Sequence, residues 1–202
     1  MRRNVTLCLF LWATWATAQP LVLKTSTILD GRGQVLKNRS IVVNDGRIVR
    51  ISGTGEKTTY DLSGLTVMPG WIDTHTHFAQ HFDSNNRFES GGAGSKETPE
   101  LSALYAAAGA YVTLMGGFTT IQSVGSEVDG PVRDLINAGH LPGPTIITSL
   151  RAITDKTGTP EQIRAFVRKA KADGADVIKL FATASIRDGG AQTMSDDQIR
   201  AA

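Results

Sequence analysis

Two histidines, His75 and His77, flank Thr76 at the end of an apolar run that starts at Thr66 and bends at Pro69-Gly70. In an extended strand alternate side chains point the same way, so both imidazoles share one side, and Asp73 shares it with them. Paired imidazoles on a rigid backbone suit a divalent transition metal. Far downstream, Lys179 interrupts the apolar stretch Val177-Ile178-Lys179-Leu180-Phe181, and a lysine inside such a run needs a reason to be there. Plainer readings stand beside these. The histidines can mark where a strand leaves the core, the lysine can bury its stem and pair its ammonium with an acid, and Asp73 can bond strand-end backbone rather than support an imidazole.

Composition bounds the setting for this chemistry. The 202 residues are 41% hydrophobic and 20% charged, ordinary for a globular protein with one sizeable core. Residues 1–18 read as a secretory signal: Arg2 and Arg3, an apolar stretch from Val5 to Ala13, and a small-residue cleavage site at Ala16-Thr17-Ala18 before Gln19. That stretch is shorter than the roughly 20 residues that span a bilayer, so no membrane association is expected after cleavage and the product is periplasmic or secreted. The single cysteine, Cys8, leaves with the signal, so a metal must sit on His, Asp, Glu or a modified Lys. Loss of Arg2 and Arg3 brings Lys+Arg from 21 down to the 19 of Asp+Glu, and with no basic run nothing points to nucleic acid.

The elements that must position these groups follow from pattern. Residues 19–65 hold short β-branched segments, with Asn44-Asp45-Gly46 as a hairpin turn, and read as a small β-domain without chemistry. From residue 66 to 202 strands and helices alternate. Ala79 to Lys96 is expected to be a long loop. Thr98-Pro99 opens an alanine-rich helix, Phe118 to Val124 is a strand, and Pro131 opens a short helix that Gly139 closes. Thr145 to Leu150 is a strand, Thr159-Pro160-Glu161-Gln162 caps a helix that Gly174 ends, and Val177 to Phe181 is a fourth strand. This alternation predicts an α/β fold with a parallel sheet, about the first four strands of an incomplete (β/α)8 barrel. Ser195-Asp196-Asp197-Gln198 starts another helix with only four residues after it, too few for a stable helix, and the expectation is an N-terminal part of a longer protein. On such a barrel His81, after the first strand, and Ser149, Arg151 and Arg187, after the third and fourth, lie on the loop face, where His81 and Arg187 are candidates for substrate contact. Solvated or bracing roles are the alternatives for both. His140, after the second helix, lies on the stability face.

Asp30-Gly31-Arg32-Gly33, Asn44-Asp45-Gly46-Arg47-Ile48, Pro69-Gly70-Trp71-Ile72-Asp73-Thr74-His75-Thr76-His77 and Ala175-Asp176-Val177-Ile178-Lys179 together resemble the amidohydrolase superfamily, nearest its imidazolonepropionase-like and prolidase-like hydrolases. The resemblance implies a (β/α)8 barrel beside a β-sandwich built from both ends of the chain. It implies that His75, His77 and Lys179 bind metal, with Lys179 carboxylated by carbon dioxide into a carbamate that bridges two cations, zinc first, with manganese, iron or cobalt as alternatives. The activity implied is hydrolysis of C–N bonds in a small amide or dipeptide-like substrate by a water that two metals activate. Two further histidines and a catalytic aspartate are expected beyond Ala202, which leaves no catalytic residue assigned here and makes an isolated chain an inactive fragment. A mononuclear deaminase-like relative with an ordinary lysine, a non-catalytic remnant, and a homo-oligomer remain open.

Overall fold

A computed structural model describes residues 19–53, 55–91 and 95–202. The predicted signal, Cys8 included, lies outside the described residues. The chain divides into two compact units, one up to Pro69 and one from Gly70 to Ala202. Among the described residues no helix is long and apolar enough to cross a membrane.

The first unit is one four-stranded sheet: β1 (Leu21–Leu29), β2 (Val35–Asn44), β3 (Arg47–Ser52) and β4 (Tyr60–Val67), in the order β3-β2-β1-β4. β1 pairs antiparallel with β2 and parallel with β4. Asp45 and Gly46, both at positive φ (49° and 71°), make the tight β2–β3 turn, because two left-handed residues match the twist of the flanking strands. The implied sandwich needs a second layer, and the described residues of the first unit supply one sheet. Thr66 and Val67 pair with Thr27 and Ile28 of this sheet, and the second compact unit starts at Gly70.

Past that bend the second unit begins with β5 (Trp71–Thr76). A Cβ on Gly70 would collide with the Thr119 side chain, so glycine lets the backbone pass close by. The expected loop contains a hairpin, β6 (His81–Phe82) and β7 (Phe88–Glu89). Its turn is held by Asp83, which accepts from the Asn85 and Arg87 amides at 2.8 and 2.9 Å and from the Arg87 guanidinium. These bonds, the Arg87 amide foremost, hold its carboxyl down at about 2. A side-chain-to-backbone turn leaves no period-two trace, which is why the pattern missed this element.

Helix α1 (Pro99–Met115) is capped by Thr98, packs Ser102, Ala106 and Ala110 inward, and leads to β8 (Phe118–Ser123). Then come α2 (Asp129–Asn137), β9 (Thr145–Thr148), β10 (Ala152–Thr154), α3 (Pro160–Ala172), β11 (Lys179–Phe181) and α4 (Asp196–Ala201). β5, β8 and β9 form a parallel three-stranded sheet in that order, and β10 and β11 form a parallel pair. One core cluster joins Phe78, Ala106, Ile121, Val132 and Ile146, and a second joins Ile153, Ile163, Met194 and Ala201. The expected third strand is broken after Thr148, with Leu150 at φ 54°, and resumes as β10 to pair with the fourth. The last helix forms despite its length. Ser195 and Gln198 make a complete capping box, the Gln198 side-chain amide donates to the Asp155 and Gly158 carbonyls, and Ala201 is buried, so packing supplies what six residues lack in propensity.

Candidate metal centre

β5 carries the first two candidates. Its pairing with β8 runs Asp73 to Ile121 and Thr76 to Ser123, so β5 spends three residue steps where β8 spends two. This bulge breaks strict alternation next to the histidines, a common device for re-aiming side chains beside a site. Asp73 Oδ1 accepts the His75 backbone amide at 2.9 Å, and Gln122 donates to the Thr74 carbonyl at 2.9 Å, which feeds the backbone groups that the bulge frees. Asp73 therefore bonds the strand end. The His75 and His77 rings nonetheless come together, 5.6 Å between centroids and tilted by 56°.

Lys179 opens β11, opposite Ala152 of β10, with Nζ 5.0 Å from the centre of the Phe181 ring. Its charge acts on His77. Burial first, then the charges of His75 and Lys179, lower the His77 pKa, so the imidazole is held neutral, the form that ligates metal. His77 and Phe181 line one cleft of about 400 Å³, together with Ser126, Leu150, Arg151 and Phe166. A larger cleft, about 590 Å³, lies beside the start of α1 among Glu97, Glu100 and Glu127 and takes in none of the predicted ligands. Among the described residues no three His, Cys, Asp or Glu side chains gather as a metal cage. The donor set that does gather is two imidazoles with a lysine amine nearby, which fits a metal if the amine becomes a carboxylate-like group.

Two candidates are placed differently. His81 is not open to a substrate, because Nδ1 is 3.0 Å from the Ala79 carbonyl and Nε2 is 3.0 Å from Glu97, while the ring stacks on Tyr105 with centroids 3.7 Å apart. Burial pushes its pKa down, but the Ala79 and Glu97 bonds and the Glu97 and Glu89 charges outweigh burial and raise it. Arg187 sits in the helical turn Ile186–Asp188 with its amide on Ser185 Oγ at 3.2 Å, exposed and away from the cleft lining. His140 is exposed just past α2.

The pattern missed Asp129, the first residue of α2, because the helix was expected to open at Pro131. Asp129 is fully buried, accepts from Thr148 Oγ1 at 2.9 Å, and is raised to about 6 by burial, which outweighs the lowering by the Thr148 bond, the neighbouring Ser123 and Ser126, and the charge of Arg133. Its Oδ1 and the Ser123 Oγ nearby have no hydrogen-bond partner among the described residues. Arg151, lining the cleft, pairs with Asp173 and, at 3.7 Å, with Glu127, and lies 5.8 Å from the centre of the Phe166 ring.

The sequence profile of the Amidohydrolase family matches residues 66–202. The chain is 35% identical to the imidazolonepropionase of Micrococcus luteus over 91 residues, 43% of this chain and 21% of that protein. It is similar to a solved Xaa-Pro dipeptidase with methionine in its active site, at TM-score 0.77 and 28% identity, covering 91% of this chain and 53% of that one. It is similar also to a putative prolidase from Bifidobacterium longum, at TM-score 0.72 and 30% identity, covering 91% and 46%. The chain thus spans about half the length of these structures and a smaller share of the curated relative. With its histidine pair and strand lysine inside the matched segment, the chain belongs to the amidohydrolase family.

Proposed function

We propose that this chain carries part of the metal centre of a hydrolase that cleaves C–N bonds in small amides or dipeptide-like molecules. Imidazolonepropionase and Xaa-Pro dipeptidase among the similar proteins support that substrate class. His75 and His77 hold the metal through neutral imidazoles, and Lys179, carboxylated, supplies the shared oxygen ligand of a second metal on an incomplete (β/α)8 barrel. When bound, the metals polarise the scissile carbonyl and bring a water's pKa toward neutrality. Zinc fits first, and manganese, iron or cobalt suit the same donors. Phe166, Phe181 and Leu150 keep the cleft wall apolar, which strengthens every charge interaction at its mouth. The whole protein is exported through the predicted signal at residues 1–18.

The observation that carries this reading is the pairing of the His75 and His77 rings, 5.6 Å between centroids, with Lys179 near enough for its charge to act on His77. As an ammonium Lys179 repels any cation brought to His77; as a carbamate its charge is reversed and attracts one. A second reading, one metal and an ordinary lysine as in deaminase-like relatives, is favoured by the approach of Lys179 Nζ to the Phe181 ring, which suits an ammonium. Metal content and labelled bicarbonate separate them in the protein encoded by the complete gene. About two metals and a 13C-carbamate signal that Lys179→Ala abolishes support the first reading, and about one metal without the signal supports the second. Metal content unchanged by His75→Ala, His77→Ala and Lys179→Ala overturns both.

A further inference from the structure

Thr148, the last residue of β9, has every polar atom engaged. Its hydroxyl donates to Asp129 Oδ2 at 2.9 Å and accepts the Leu150 amide at 2.9 Å. Its amide donates to Asp176 Oδ2 at 3.0 Å, and its carbonyl accepts the amides of Asp176 at 2.8 Å and Val177 at 3.4 Å. One turn along α2 from Asp129, Arg133 reaches the same Asp176 Oδ2 at 3.0 Å and the Gly174 carbonyl at 2.7 Å. The approach to β11 is therefore gripped from two sides before the ladder starts at Lys179 opposite Ala152. The break between Thr148 and Ala152 sets that register, and the positive φ of Leu150 is held by the Thr148 hydroxyl. Register in a strand is unforgiving, because a slip of one residue sends every side chain to the other face. Lys179 would then leave the side of His77 altogether.

We propose that Asp129 is a positioning residue: it fixes the Thr148 hydroxyl, and Thr148 holds the fourth parallel strand in the register that brings Lys179 to His77. A hydroxyl has one proton, and only an acceptor on the α2 side leaves its lone pairs for Leu150. A fully buried carboxyl is a costly way to fill space, so its acceptor rather than its volume is what the position uses. The importance of Lys179 rests on the metal-centre reading above, whereas the register argument does not.

The test compares wild type, Asp129→Leu, Thr148→Val and Asp129→Asn in the protein encoded by the complete gene. Amide hydrogen exchange reads the register at Asp176, Val177 and Lys179 to Phe181, with the β5–β8 ladder as internal control. Asp129→Leu and Thr148→Val are expected to speed exchange at residues 176–181 roughly tenfold beyond any change at the control. Asp129→Asn, which keeps an oxygen for the hydroxyl, is expected to restore slow exchange. Should Asp129→Leu fail to fold, Thr148→Val, which removes only the hydroxyl, decides. Protection of 176–181 that follows the control in the folded variants, or no rescue by Asp129→Asn, overturns the proposal. A wild type without a 13C-carbamate at Lys179 counts against the ligand reading alone, since the exchange comparison stands without it.

Discussion

Replacing Asp129 by Asn should change the pH dependence of stability in a direction that its surroundings dictate. The carboxyl is raised from 3.8 to about 6. The folded chain therefore binds this proton more tightly than the unfolded chain does. The resulting stabilisation is complete below the unfolded value and is lost as pH rises through about 6. A shift of about two pKa units corresponds to about 3 kcal/mol, and full burial means solvent does little to screen it. Asparagine does not titrate and keeps an acceptor for Thr148, and near pH 4 the carboxyl it replaces is itself neutral. Asp129→Asn should thus be about as stable as wild type near pH 4 and about 2–3 kcal/mol more stable near pH 7.5. Urea unfolding followed by circular dichroism at five pH values measures the difference, in which all other titrating groups cancel. An offset between the two proteins that stays constant from pH 4 to 7.5, or that grows in wild type's favour as pH rises, refutes the reasoning.

His77→Ala should lower metal content at least tenfold while His140→Ala leaves it unchanged, as read by elemental analysis of the purified protein. Glu97→Gln removes one of the groups that, with the Ala79 carbonyl and Glu89, together outweigh burial at His81. The stabilisation from His81 is full below 6.5 and lost as pH rises through the raised folded value, so the variant should lose up to about 1 kcal/mol near pH 6 and almost nothing near pH 9 by thermal melts. Gly70→Ala should cost roughly 2–4 kcal/mol through collision with Thr119, and Thr119→Ala in the same chain should recover part of it, measured by denaturant midpoint.

Much of the scaffold was legible because it is written in local chemistry. Thr98-Pro99 and Thr159 to Gln162 cap helices since the bonds they make lie within three residues, and Asp45-Gly46 turns a hairpin since its two φ angles are a local matter. The histidine pair was legible for the same reason. The surroundings of His81 were not legible because its partners, Glu97 and Tyr105, come from the start of a helix that folds back over it. Asp129 was overlooked because an aspartate near a helix start usually serves as a solvated cap, and only packing shows this one fully buried.

By itself the sequence determined the alternation of strands and helices, the helix caps and the identities of His75, His77 and Lys179, all properties of short stretches and their periods. Tertiary structure alone decided the bulge that turns Asp73 to backbone, the break after Thr148 and the register that sets Lys179 opposite Ala152. Those depend on hydrogen bonds between residues far apart in the chain, whose partners no local pattern names.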